Sequence, residues 1–256
     1  MKRRVGWWLV ILTGMISLAG GRLVAAEVTV TYPAKGNINL DCGTVEMWVK
    51  PLFQDTLTAV PEEERSTEYN RDIWYFRTAK GDMFNLYWGG NNPGLVAFTH
   101  FADTQDYPGI WFNPFWTPGE WHHIALTWSK EKMSIWSDGE LLGEYKKEDI
   151  SKMSIFAEIV LGGRSAFLID EFRISDIIRT SFDLNQPPIV DEHTLLLDRF
   201  DEDFTPDGRR RTKAVKISKE CGVSGGLVSK DAKFVPGKFG QAIQLLSETE
   251  TSDIWK

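Results

Sequence analysis

Few residues of this sequence are spaced for covalent chemistry. Splitting a glycosidic bond takes two carboxyls facing one another across a cleft, and on a β-strand that requires even spacing because successive side chains point to opposite faces. The nearest candidate is Asp170-Glu171, and adjacency on a strand sends its two carboxyls apart. Glu62, Glu63 and Glu64 follow Pro61 as a charge run, which reads as a solvated loop. His122-His123 is divided between two faces by the same alternation. No serine or cysteine sits in a recognisable nucleophile motif with its base. The sequence therefore assigns no catalytic residue, and the expectation is a protein that is not an enzyme.

Binding chemistry has better material. Eleven Trp occur in 256 residues, and Trp111, Phe112, Phe115 and Trp116 crowd a stretch that also holds Pro108, Gly109, Asn113, Pro114, Pro118 and Gly119. That mixture reads as mostly loop. Rings on a loop offer apolar platforms for sugar rings, while Asp103, Gln105, Asp106 and Asn113 supply acceptors and donors for hydroxyls. The alternative is a loop that folds over one end of the domain and buries its rings. Trp74, Tyr75, Tyr87 and Trp88 are further candidates for an open sheet face. Trp48, Trp121, Trp128 and Trp136 lie within expected strands, where packing is sufficient reason for them.

The elements that must hold these residues are strands. Short β-branched and aromatic runs broken by Gly, Pro, Asn and Asp recur from Glu27 to Ile174, the pattern of a sandwich or barrel. Strands are expected at 28–32, 44–49, 72–78, 83–88, 95–101, 121–128, 133–137, 141–145, 158–161 and 167–174, with Asp138-Gly139 as a two-residue hairpin turn. Ser175 is placed to cap a short helix over 175–182, and Gln186-Pro187-Pro188 marks a linker at 183–192. Beyond it, 193–256 carries further strand-like runs and a basic cluster, Arg209 to Arg211.

The first 26 residues have another character. Lys2, Arg3 and Arg4 precede an apolar stretch from Val5 to Leu18, and Val24, Ala25 and Ala26 offer a small-residue cleavage site, the order of a secretion signal. A mature chain starting at Glu27 has 25 basic against 36 acidic residues, a net charge of −11, which argues against nucleic acid as a partner. With the signal removed, no stable membrane insertion is expected, and the protein is exported to a periplasmic, surface or secreted location; an uncleaved membrane anchor, with Trp7 and Trp8 at the interface, is the rival reading. Cys42 and Cys221 are too few for a disulfide scaffold. In an oxidising compartment they either pair with each other or remain two buried thiols.

Three segments in order resemble the laminin-G-like branch of the concanavalin-A-like lectin and glucanase superfamily: Gly43-Thr44-Val45-Glu46-Met47-Trp48-Val49-Lys50-Pro51, Trp121-His122-His123-Ile124-Ala125-Leu126-Thr127-Trp128, and Leu161-Gly162-Gly163 with Ile169-Asp170-Glu171-Phe172-Arg173-Ile174. The resemblance covers about residues 27–182. It implies an all-β, two-sheet antiparallel jelly roll with one concave and one convex sheet. The run from Gly237 to Leu245 is similar to the strand that normally precedes the Glu-x-Trp motif. Residues 193–256 accordingly either complete the first jelly roll from the other direction or begin a truncated second repeat.

The acid runs of the superfamily's glycosidases are absent, while its recognition role implies an exported module that binds glycan or another envelope or extracellular component. A spacer or docking domain without a small ligand is the alternative, and a glycan-processing enzyme with an unrecognised site the third reading. The resemblance requires no cofactor. It does place a structural calcium near Asp170, completed by backbone carbonyls from the segment before the Glu-x-Trp strand, and calcium's preference for oxygen ligands suits that set.

Overall fold

The computed structural model describes residues 27–53, 70–90, 94–146, 149–205 and 208–246. The expected signal segment and Glu62 to Glu64 lie outside them. Among the described residues no helix is long and apolar enough to cross a membrane.

Two antiparallel sheets form the jelly roll. One contains β1 (Val28–Pro33), β3 (Arg71–Thr78), β4 (Met83–Trp88), β5 (Leu95–His100), β6 (Gly109–Phe112), β10 (Ala157–Gly163), β13 (Asp203–Phe204), β14 (Arg211–Thr212) and β15 (Leu227–Val228), in the order β13-β14-β15-β1-β10-β3-β4-β5-β6. The other contains β2 (Gly43–Pro51), β7 (His122–Trp128), β8 (Lys132–Ser137), β9 (Glu140–Lys146), β11 (Ala166–Ser175), β12 (Thr194–Asp198), β16 (Lys233–Pro236) and β17 (Gln241–Leu246). Its order is β16-β17-β11-β2-β7-β8-β9, with β12 pairing one end of β11. Residues after the linker thus contribute strands to both sheets: β15 pairs β1 and β17 pairs β11.

Inward-facing residues from both sheets interdigitate. Trp74 of β3 stacks on Trp128 of β7 with centroids 6.5 Å apart, and Phe84 of β4 meets both edge-on. All three are buried. The hairpin between β8 and β9 turns on Asp138 (φ 49°) and Gly139 (φ 81°), and the positive φ at both centres matches the twist of the flanking strands.

Two sequence expectations are corrected and one open alternative is decided. Gly109–Phe112 is a strand, paired with β5 from Leu95↔Phe112 to Phe98↔Gly109. The neighbouring prolines do not prevent this, because β6 is an edge strand and one side of its backbone needs no ladder partner. Residues 176–182 form no helix. Ser175 ends β11 and its hydroxyl accepts from Arg179 Nε (2.8 Å) rather than capping, while Thr44 Oγ1 donates to Ile177 O and accepts from Arg179 N. The chain is thereby held flat along β2. Cys42 and Cys221 are separate free thiols, Cys42 donating to Asp176 O (3.2 Å) across the fold and Cys221 to the local Ser218 O (2.8 Å).

Gly43 is the tightest point of this packing. A Cβ there would overlap the Trp128 ring and come within 2.8 Å of Ser175 O. Overpacking of this kind costs about 2 kcal/mol. Gly43→Ala is therefore expected to lower the unfolding free energy by that amount, read as a lower urea midpoint with an unchanged m value.

Candidate functional site

Alternation on β3 to β6 builds a cleft on the outer face of the nine-stranded sheet. Trp74 and Phe76 point into the core, so Tyr75 and Arg77 point out. A bulge between Asp72 and Trp74 absorbs Ile73 and leaves Asp72 on the outer face as well. Cross-strand register then sets two rows of neighbours: Asp72, Tyr87, Val96 and Trp111 in one, Tyr75, Asn85, Phe98 and Gly109 in the next. Arg77 and Met83 begin a third row. Four strands at normal spacing give a span of about 14 Å. The cleft has a volume of about 640 Å³.

Its walls are aromatic and its floor is polar. Tyr87 meets Phe98 edge-on at 5.9 Å, Phe98 meets Tyr107 at 5.6 Å, and Tyr107 stacks on His100 at 4.2 Å. Asn85, only 8% exposed, holds a side-chain carbonyl oxygen with no hydrogen-bond donor. Burial pushes the Tyr75 phenol up to about 12, so it stays a neutral donor through the physiological range. Burial also raises Asp72 to about 6, against the opposing pull of the Arg164 backbone N–H and guanidinium.

The residues singled out in the sequence are dispersed. Trp111 lines the cleft and is 49% exposed. Phe112, next on the same strand, turns inward against the bare backbone of Gly143 on β9. Phe115 is 84% exposed with φ 54°, its N–H held by Asn113 Oδ1 at 2.8 Å, and it does not line the cleft. Trp116 is buried, stacked between Trp88 and His122, with its indole N–H donating to Ser137 Oγ at 3.0 Å. Trp74 and Trp88 are core residues too, so three of the four tryptophans proposed as platforms are unavailable to a ligand. Asp106 is exposed and contributes its backbone carbonyl, 3.2 Å from His100 Nδ1. The missed residues, Asn85 and Phe98 above all, had a signal: pleat alternation places them on the face opposite Trp74 and Trp88.

On the other sheet, the carboxyls of Asp170 and Glu171 are not split as strict alternation predicts. A bulge between Asp170 and Arg173 puts Glu171 at φ 52°. Both are fully buried. Asp170 Oδ2 accepts from Lys238 N (2.8 Å) and Phe239 N (2.9 Å), and Oδ1 from Glu171 N (2.7 Å). The segment expected to offer carbonyls to calcium therefore offers N–H groups, the donor set for an anion. Among the described residues no three His, Cys, Asp or Glu side chains converge on a metal position. The arrangement does not fit calcium, and no step is derived through it.

Glu171 faces a second cavity of about 520 Å³, between this sheet and the chain at 183–191. Burial, then the adjacent Asp170 charge, raise its carboxyl to about 8 against the pull of Arg199, 3.5 Å away. Beside it, Glu46 is buried with Arg173 Nη2 at 2.6 Å and His123 Nε2 at 3.2 Å.

Residues 26–184 match the family described as the concanavalin A-like lectin/glucanases superfamily, and the chain belongs to it. Similar solved structures include the heptameric SAP-like pentraxin of Limulus polyphemus (14% identity over 62% of this chain and 75% of that one, TM-score 0.39). Domains LG4-5 of the mouse laminin alpha1 chain share 12% identity over 72% and 49% of the two chains, TM-score 0.43. A Bacteroides ovatus protein described as a candidate carbohydrate binding protein shares 15% identity over 86% and 60%, TM-score 0.47. The chain thus spans about half of the laminin pair and three fifths of the B. ovatus chain. No curated protein sequence matches it.

Two measurements follow from the acid pair. The folded protein holds the Glu171 proton that the unfolded chain, at its ordinary value of 4.5, releases by pH 8. Stability therefore falls as pH rises through that window, by several kcal/mol for a shift of this size, and chemical denaturation of Glu171→Gln at pH 5 and pH 8.5 is expected to show a shallower fall. Asp170→Asn exchanges one acceptor oxygen for an amide nitrogen that opposes at least one of these N–H groups. It is expected to lower Tm by the same amount with and without chelator, and the parent protein's Tm is expected to be insensitive to chelator.

Proposed function

We propose that this protein is an exported recognition module that binds glycans, without turnover, in the cleft across β3, β4, β5 and β6. The observation that carries this reading is the buried Asn85 carbonyl oxygen without a donor, set among aromatic rings. An orphaned buried acceptor costs on the order of 1–3 kcal/mol. A ligand hydroxyl would satisfy it while the sugar's apolar face lies against Tyr75, Tyr87 or Phe98, the combination of apolar wall and few placed polar groups that defines a small-molecule site. Lectins and glucanases name the family, so saccharide is the ligand class it favours. The acids that line the cleft are Asp72 and Glu27, and no carboxylate faces them from β4, β5 or β6, where retaining and inverting hydrolysis both need two across the scissile bond. Export rests on the N-terminal charged and apolar order, with the mature chain beginning at Glu27.

Glycan-array binding followed by calorimetry on the best ligand tests the reading. Asn85→Ala and Tyr87→Ala are each expected to weaken binding at least tenfold with Tm preserved, Trp111→Ala to weaken it less, and Trp74→Ala to lower Tm instead. A binding curve indifferent to Asn85 and Tyr87 would leave the cleft without a role, and silence across the array favours a spacer or docking domain.

A further inference from the structure

The arginines of this chain divide into two groups. Arg173 holds Glu46 and Ile189 O, Arg179 holds Asp191 through both carboxylate oxygens, Arg199 holds Pro188 O and lies 3.5 Å from Glu171, and Arg210 holds Asp203 and Ala232 O. Arg71, Arg209 and Arg211 also have partners. Among the described residues only the side chains of Arg77 and Arg164 make no hydrogen bond or ion pair, and both border the same cleft. In a chain with 36 acidic against 29 basic residues, acids are plentiful enough that random placement would favour a carboxylate near an arginine. Glu158 is even the cross-strand neighbour of Arg77, yet no pair forms between them.

Resting on the glycan reading above, we propose that the cleft selects acidic saccharides, with the guanidinium groups of Arg77 and Arg164 receiving carboxylate or sulfate groups of the chain. A guanidinium offers a planar fork of donors that matches such oxyanions. The two arginines are not redundant. Arg77 lies on β3 five residues from Asp72, whose backbone N–H donates to Arg164 O at 3.0 Å, so their backbones stand about 16 Å apart along the strand. They sit towards opposite ends of the cleft, and a saccharide bearing more than one negative charge engages both. No lysine lines the cleft, and the acids that do are Asp72 and Glu27. Asp72 opposes an anionic ligand at the Arg164 end and sharpens the requirement for an acidic group well placed against the guanidinium.

The test uses the full mature chain on an array of carboxylated, sulfated and neutral glycans. Calorimetry follows with an oligogalacturonate, its methyl ester and a sulfated galactan oligosaccharide, at low and high salt. The expected result is binding confined to acidic glycans, weakened by salt, with roughly tenfold losses for Arg77→Gln and for Arg164→Gln and a gain of a few fold for Asp72→Asn. Preference for the uronate or the sulfate ligand distinguishes the source of the anion. If neutral glycans bind as well as acidic ones and both arginine variants retain full affinity while Asn85→Ala loses it, the anion assignment falls and the cleft stands. If no glycan binds, the glycan reading falls and this inference with it.

Discussion

The stack of Trp74 on Trp128 between the two sheets is the contact from which the geometry of the outer surface follows. It joins β3 to β7 through the core and is wedged by Phe84. Because side chains alternate with period two, fixing Trp74 inward fixes Tyr75 outward, and a slip of one residue would exchange every cleft residue on that strand for a core one. The stack is itself set from outside the site. The Trp128 indole N–H donates to Asn39 O at 3.0 Å, and the ring lies against the bare backbone of Gly43. Loop, strand and cleft are thus one mechanical unit, although the ligand would touch none of the residues that position it.

The opposite sheet is organised by charge. Burial alone would raise the Glu46 carboxyl, but the His123 hydrogen bond and the Arg173 guanidinium bring it below its ordinary range. The pair bridges β2 to β7 and β11, and Arg173 continues to Ile189 O, which ties the linker down onto the sheet. Such a buried pair is weak evidence for stability, since its desolvation cost rivals its attraction. What it does provide is geometry: a salt bridge and hydrogen bond that only one register of the three strands can make. At the other end of the fold Asp198 has a similar role, accepting from Tyr32 Oη at 2.9 Å, from Phe200 N and from Thr212 Oγ1, and so joins the segment after the linker to β1.

How much of this could be read from sequence differs by level. The strands of the first two thirds were legible because their alternation and turn residues are local signals, and the family was legible because Glu46-Met47-Trp48 and Asp170-Glu171-Phe172-Arg173 stand at strand positions where they meet, Glu46 against Arg173. The helix at 175–182 was misread because its capping serine is engaged by Arg179, a partner that no local pattern reveals. The bulge at Glu171 was hidden for the same reason: the extra residue is fixed by its neighbours on β2, β12 and β17, not by its own type. The site was half legible. Aromatic type alone points to Trp74, Trp88 and Trp116, yet large apolar rings are what a core takes first, whereas Asn85, in register between Tyr75 and Phe98 on the outer face, carries the stronger functional signal.

The two outer faces end in opposite states, and that contrast bears most directly on function. Over β2 and β11 the chain supplies its own cover. Lys238 Nζ lies 4.2 Å over the Trp48 ring, Phe239 meets Trp48 edge-on, and residues 183–191 cross above Arg173 and Arg179. Over β3, β4 and β5 no such segment is found among the described residues, and tyrosines, a buried amide oxygen and two unpaired guanidiniums line the opening. Folding stability offers no reason to leave a buried acceptor unsatisfied or to keep Arg77 from Glu158, its cross-strand neighbour. Both are accounted for if the missing partners arrive with a ligand, the role proposed above for the cleft on the nine-stranded sheet.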